Sequence, residues 1–258
     1  MSGLPADLAE SLEQLAAAET LLVALDFDGV LAPLVEHADD ARPLPGSAAA
    51  VRELAALPDT FTAMISGRAL ESLRRAATPE PETLLIGSHG AEAWTGPNAQ
   101  PLQLTREQAQ LLARARAAVE EVAASHPGTW LEAKPAGVVL HTRSADDDVA
   151  AAATEAARAR LSTIDGVQVT DGKRVLETSV VHTNKGEGIR TLRTLTGATA
   201  VLFAGDDVTD ENGFAALLPG DMGVKIGSGD TRASFRVESP EAFTEVLEKL
   251  LVLRRGRH

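Results

Sequence analysis

The amino-acid sequence predicts an α/β protein, a doubly wound parallel sheet interrupted by an inserted α+β module, and three observations carry that prediction. Short apolar runs, LLVALD (21–26), FTAMIS (61–66), TLLIG (83–87) and ATAVLFAG (198–205), alternate with helical patterns, the signature of βαβ units. Each run is apolar at consecutive residues, as in strands buried on both faces of a parallel sheet. Between 105 and about 180 the order changes to helix, hairpin, helix, hairpin, and βαβ alternation then resumes. A pattern that leaves and returns is an insertion, so the boundaries read as a core of 1–104 with 182–258 and a module of 105–181.

The elements follow in order. Leu8, Leu12 and Leu15 share one face of a helix over 6–18 that leads into the first strand. Asp26-Phe27-Asp28-Gly29 ends that strand, and prolines and glycine punctuate a loop to about 46. A helix over 47–57 has Ser47 as its candidate N-cap, and the second strand ends in Ser66-Gly67-Arg68. After a helix over 69–77 the third strand runs into Ser88-His89-Gly90-Ala91-Glu92, followed by a loop from Trp94 to Pro101. In the module, Thr105 caps a helix to 125, and Pro135-Ala136 separates strands 129–134 and 137–143. A helix over 145–162 opens on an acidic run, and 166–178 reads as strand, Asp-Gly turn, strand. Lys185 then opens a helix to about 195, and the fourth long apolar strand ends in Asp206-Asp207-Val208-Thr209-Asp210-Glu211. A helix to Leu218, strands at 222–226 and 233–237 and a helix over 240–252 complete the pattern, with the tail LRRGRH expected to fray.

Composition narrows the function. The 258 residues are 44% hydrophobic, which fits a folded chain. A net charge of −13 argues against a nucleic-acid partner, and 3% aromatics with no tyrosine argue against a base-stacking platform. No apolar run approaches membrane-spanning length, and the acidic N-terminal stretch lacks a secretory n-region. A cytoplasmic monomer without membrane contact is the expectation. The absence of cysteine excludes disulfides, thiolate metal sites and a cysteine nucleophile.

Polar groups stand where buried strands end or a helix begins: Asp26 and Asp28, Ser66, Lys185, and Asp206, Asp207 and Asp210. Parallel strands share a direction, so these ends can converge on one sheet edge. The residue types suit phosphoryl transfer: a carboxylate nucleophile, a second carboxylate as acid and base, further carboxylates for Mg²⁺, and a lysine and hydroxyl for the phosphoryl oxygens. Each has a plainer reading as an acidic turn, a turn serine, a surface lysine or a helix-start cluster. Asp206 and Asp207, however, directly follow a buried strand, where a metal relieves their repulsion.

The stretches DFDGVL, ISGR, NKG and GDDVTDE, in this order, resemble the four motifs of the haloacid dehalogenase superfamily of phosphatases. With GSHGAE (87–92) and LEAKPAGVVLHTR (131–143), the sequence is similar to the trehalose-6-phosphate phosphatase family. The resemblance implies a Rossmann-like core of haloacid dehalogenase type and a cap domain that recognises the sugar. It implies Asp26 as nucleophile and Asp28 as general acid and base. It implies Mg²⁺ held by the Asp26 carboxylate, the Asp28 main-chain carbonyl and Asp206, with Asp207 and Asp210 in or near that shell. Ser66 and Lys185 would contact the phosphoryl group, and Gly67, Arg68, His89, Glu132, Lys134, Arg143, Glu177 and Asp210 would form the substrate-binding set. Two positions depart from the family pattern: Val30 replaces the usual threonine, and Thr178-Ser179-Val180 replace an Arg-Pro shortly after Glu177. The implied reaction is Mg²⁺-dependent hydrolysis of trehalose 6-phosphate through an aspartyl-phosphate. The alternatives are a phosphatase of another sugar phosphate, sucrose or glycosyl-glycerate phosphate, and a non-catalytic phosphate-binding regulatory module.

Overall fold

The structure, a computed structural model, describes residues 4–97, 99, 102–172 and 174–257. In chain order the elements begin with α1 (Ala6–Ala16), β1 (Leu21–Leu25), α2 (Pro45–Ala55), β2 (Thr60–Ile65), α3 (Leu70–Ala77), β3 (Leu84–Gly87) and β4 (Glu92–Trp94). Then come α4 (Arg106–Ser125), β5 (Trp130–Lys134), β6 (Gly137–His141), α5 (Asp147–Leu161), β7 (Gln168–Gly172) and β8 (Val175–Ser179). The last are α6 (Lys185–Thr196), β9 (Ala200–Gly205), α7 (Glu211–Phe214), β10 (Met222–Ile226), β11 (Phe235–Val237) and α8 (Pro240–Arg255). The chain divides into two units, Met1–Pro101 with Thr183–His258, and Leu102–His182.

In the first unit the described residues form a seven-stranded sheet in the order β11-β10-β9-β1-β2-β3-β4. Every neighbouring pair is parallel except the antiparallel edge pair of β3 and β4. β1 is central because it is apolar on both faces. Leu21, Val23 and Leu25 enter a core with α1, α2, α3 and α8, while Leu22 and Ala24 enter another with α6 and α7. This is the doubly wound α/β core that the sequence predicts. The strand order runs outward in opposite directions from β1 and β9, and such a reversal opens a crevice at the carboxyl ends of the strands.

The second unit has a four-stranded antiparallel sheet, β5-β6-β8-β7. Val138, Leu140 and Leu176 pack on α4 and α5 through Ala115, Val119, Ala153 and Ala157, and alternation sends their strand neighbours to the opposite face. α4 starts with a reciprocal capping box: Gln108 N–H donates to Thr105 Oγ1 at 3.2 Å, and Thr105 N–H donates to Gln108 Oε1 at 2.9 Å.

Four local expectations are corrected. β4 lies in a stretch read as turn and loop; three residues carry no periodicity, and the strand exists by pairing with β3 and by Arg74 lying 4.0 Å over the Trp94 ring. Ser47 is not an N-cap, because α2 starts at Pro45 and the buried Ser47 hydroxyl bonds Thr244 Oγ1 at 2.7 Å. Asp171 and Gly172 belong to β7, paired with Leu176 and Val175, so the turn falls after Gly172, with Arg174 at φ +62°. The tail does not fray at its first residues, since α8 extends to Arg255.

Arg254 explains that extension. It is fully buried, and its guanidinium donates to the carbonyls of Ala16, Ala18, Glu19 and Asp59 and to Thr60 Oγ1. One planar cation thus ties α8 to the α1–β1 connection and to the start of β2. Arg254→Ala strands several buried acceptors at once and should lower unfolding stability in urea by about 3 kcal/mol. Arg254→Lys, a point charge that cannot span this fan, should recover less than half of that loss.

Candidate active site

The site starts from the register of the central strands. Leu25 pairs with Met64 on one side and Ala204 on the other, and the Asp26 N–H donates to the Ala204 carbonyl at 3.0 Å. Asp26 therefore leaves β1 beside the end of β9, where Gly205 and Asp206 follow. Gly29 sits at φ +77°, and a Cβ there would meet the Asp206 carboxylate at 2.1 Å. Only glycine provides both the left-handed turn and this close approach.

Lys185 enters from the first turn of α6, whose N-cap is Asn184 with its Oδ1 accepting from Glu187 N–H at 3.1 Å. Its ammonium is 2% exposed, 2.8 Å from Asp26 Oδ2 and 2.6 Å from Asp210 Oδ1. Asp210 is fully buried, and its second oxygen accepts the N–H groups of Asp206 and Asp207, each at 2.9 Å. Asp210 thereby folds the loop after β9 around one carboxylate. Lys225 completes the loop from β10, donating to the Asp206 carbonyl at 2.6 Å and the Asp207 carbonyl at 3.3 Å.

Asp26, Asp206 and Asp210 can each offer an oxygen within 4.8 Å of the others, a group able to hold a metal ion. Two carboxylates at that distance repel by about 3.5 kcal/mol at an effective dielectric of about 20, and one ammonium does not offset three such groups. Burial raises Asp26 well above the ordinary carboxylate range against the pull of Lys185, with Asp210 and Asp206 adding to the rise. Asp206 is pushed up to about 7 by burial and by Asp210 and Asp207. Asp207 moves the other way: burial opposes ionisation, but Lys185 and the N–H and hydroxyl of Thr209 outweigh it. The protein thus disfavours the ionised forms of Asp26 and Asp206, a cost a divalent cation removes. The donor set is all oxygen, which suits Mg²⁺.

Asp28 is held apart from this group. Arg68 grips it in a bidentate pair, Nε to Oδ2 at 2.6 Å and Nη2 to Oδ1 at 2.7 Å, and also donates to the Ala38 carbonyl. Burial opposes the charge on Arg68, but the Asp28 pairing holds the guanidinium protonated above its ordinary value. Ser66 is buried at the end of β2, where its Oγ accepts the Arg68 N–H at 3.2 Å. Gly67 lies against His89: a Cβ would stand 2.5 Å from the imidazole Nε2. Ser88 and His89 both adopt positive φ, +49° and +54°, a tight reversal held by Ser88 N–H to the Arg68 carbonyl and His89 N–H to the Ser66 carbonyl.

In the second unit, Glu132 accepts from or pairs with His141 Nε2 at 2.8 Å, and Lys134 Nζ lies 3.2 Å from Glu177 Oε1. The His141 contact, then burial in opposition, leaves Glu132 below its ordinary range. Register places Glu132, Val139 and Glu177 in one row across β5, β6 and β8. Arg143 is exposed just beyond β6. Sequence reasoning missed Lys225, His141 and the Arg68 grip on Asp28. Lys225 did leave a signal, a charge inside the otherwise buried strand MGVKI.

Sheet order, strand-end aspartates and an inserted α+β unit define a protein of the haloacid dehalogenase fold class. A family model described as Trehalose-phosphatase matches residues 24–241. The chain belongs to the trehalose-phosphatase family. It is 34% identical over 248 residues to a trehalose-phosphate phosphatase of Mycobacterium avium, covering 88% of this chain and 61% of that protein. It is 35% identical over 222 residues to trehalose-6-phosphate phosphatase of Escherichia coli, covering 82% and 79%. The C-terminal domain of C. albicans trehalose-6-phosphate phosphatase superposes with a TM-score of 0.81 at 22% identity, covering 96% of this chain and 98% of that one, a likeness of fold. The chain spans about three fifths of the length of the trehalose-phosphate phosphatases of Mycobacterium avium and Mycobacterium marinum and a third of a bifunctional synthase/phosphatase of Thermoproteus tenax.

Lys185→Met would leave Asp26 and Asp210 buried without their shared counter-charge. It should lower stability at neutral pH by roughly 3–5 kcal/mol in urea denaturation. A loss below about 1 kcal/mol would mean that Lys185 is not what holds these carboxylates in place.

Proposed function

We propose that this protein hydrolyses trehalose 6-phosphate to trehalose and inorganic phosphate through an aspartyl-phosphate. The observation that carries the reading is the buried Asp26 carboxylate at a strand end, paired with Lys185 and grouped with Asp206 and Asp210. Family membership supplies the substrate class, and the paired polar groups on the second unit's sheet support a sugar as its organic part.

Asp26 attacks phosphorus, forming an acyl-phosphate bond as the bond from phosphorus to the sugar oxygen breaks. Asp28, protonated and released from Arg68, gives its proton to that leaving oxygen, so trehalose departs neutral. Asp28 then takes a proton from water as the water oxygen attacks phosphorus, releasing phosphate and restoring the Asp26 carboxylate. Lys185 and Ser66 orient the phosphoryl oxygens. Arg68 holds the Asp28 carboxylate left after transfer to the leaving oxygen by two parallel bonds, the ionised form that accepts the proton from water. Asp210 and Lys225 act through the loop, fixing Asp206 and Asp207 rather than touching substrate. The residues that would hold Mg²⁺ are Asp26, Asp206 and the Asp28 carbonyl, with Asp207 nearby. When bound, the ion neutralises phosphoryl charge and relieves repulsion among the carboxylates. In the 102–182 unit, which we assign as the cap, Glu132, Lys134, Arg143 and Glu177 read the sugar hydroxyls.

Phosphate release from trehalose 6-phosphate with Mg²⁺ tests the reading directly. Asp26→Asn should abolish turnover, because an amide cannot form the acyl-phosphate, and Asp28→Asn should lose roughly 10²–10⁴-fold. Full activity of purified Asp26→Asn would remove the mechanism. Chelation should stop catalysis, while Mg²⁺ should raise the melting temperature of the parent protein and not that of Asp206→Ala. Glu132→Ala or Lys134→Ala should cut kcat/KM for trehalose 6-phosphate by about 10²-fold and spare a small phosphomonoester. Equal losses on both substrates would assign these two residues to the chemistry or the fold.

A further inference from the structure

The proposed chemistry uses polar groups throughout, and a tryptophan stands among the exposed apolar side chains it leaves without a role. The sequence has two tryptophans. Trp94 is covered by the Arg74 guanidinium on β4, a packing role. Trp130, the first residue of β5, is 49% exposed. Its indole lies flat on the His141 imidazole, with ring centroids 3.7 Å apart and planes within 4°. Register pairs the same two residues across β5 and β6. His141 is in turn fixed at Nε2 by Glu132 at 2.8 Å. One indole face is therefore covered by a ring that is itself anchored, and with 49% of the residue exposed the opposite face is the one left for a ligand.

Three features say what that face fits. Trp130, Glu132 and Lys134 alternate onto one side of β5, and four residues of strand span about 13 Å. The row reads aromatic ring, carboxylate, then a lysine paired with Glu177 at 3.2 Å. A pyranose chair has an apolar face of axial C–H groups and a rim of hydroxyls. The C–H face matches a flat indole, and the hydroxyl rim matches carboxylate and ammonium partners beside it. A phosphate group matches neither the aromatic face nor the carboxylate next to it.

We propose that the indole of Trp130, backed by His141, is the stacking platform for the phosphate-free pyranose ring of the sugar phosphate. The proposal rests on the reading of this chain as a sugar-phosphate phosphatase, and adds an aromatic contact to the polar set of Glu132, Lys134, Arg143 and Glu177. Because Glu132 fixes His141 and His141 carries the indole, the ring that stacks and the carboxylate that bonds are set by one chain of contacts.

The test uses Trp94→Phe protein, in which Trp130 is the sole tryptophan. Titration with trehalose should give a saturable change in its emission, and mannitol, a linear polyol without a ring face, should give none. In the parent background, Trp130→Leu should lower kcat/KM for trehalose 6-phosphate about tenfold, mostly through KM, and leave p-nitrophenyl phosphate turnover within about twofold. Trp130→Phe, which keeps a smaller aromatic face, should recover most of that loss. Emission unmoved by trehalose, or unchanged kinetics in Trp130→Leu, would overturn the platform even if trehalose 6-phosphate is hydrolysed. A trehalose-dependent emission change in a protein that releases no phosphate would support the platform while removing the reaction. Emission that shifts with protein concentration and not with sugar would mean a second copy covers the indole, and would also overturn it.

Discussion

The ammonium of Lys185 is the constraint on which the first unit's site depends. It lies buried between Asp26 and Asp210, and these carboxylates arrive from opposite ends of the sequence's main pattern. One comes from the end of β1, the other from the loop after β9, and the lysine itself from the start of α6. Removing the lysine would leave two carboxylates in a dry environment without a counter-charge, which costs several kcal/mol. The three elements are therefore locked together by charge as well as by apolar packing. Asp210 extends the lock, because the oxygen not used by Lys185 gathers the N–H groups of Asp206 and Asp207.

That arrangement is deliberately short of positive charge. Lys225 is spent on carbonyl oxygens, and Lys185 is shared between two carboxylates. Burial, together with the neighbouring carboxylates, makes Asp26 and Asp206 carry their protons more tightly than exposed aspartates do. A divalent cation held by Asp26, Asp206 and Asp210 would relieve that condition. Asp28 has the reverse situation. Its own arginine holds it in a bidentate pair, so two aspartates two residues apart occupy opposite electrostatic environments.

The second unit follows a different logic. Its sheet commits one face to the helices α4 and α5, and alternation delivers Trp130, Glu132 and Lys134 to the other. Those residues are tied to partners on other strands of the sheet, His141 on β6 and Glu177 on β8, so their positions derive from register. A recognition surface built on paired strands is stiffer than one built on loops.

The sequence by itself determined the β-α alternation, the insertion and the aspartates at strand ends, because each is written in contiguous residues with a local physical signature. Apolar runs, glycine turns and the Thr105 cap need no knowledge of distant chain. Only the tertiary structure decided which groups meet. Arg68 falls on Asp28 across 40 positions, and Arg254 gathers carbonyls more than 190 positions away. β4 forms only because β3 presents an edge, and Ser47 is turned inward by a helix that starts three residues earlier than a cap at Ser47 implies. Charge pairing and burial depend on distance in space, and a one-dimensional pattern gives that distance only where the chain is its own neighbour.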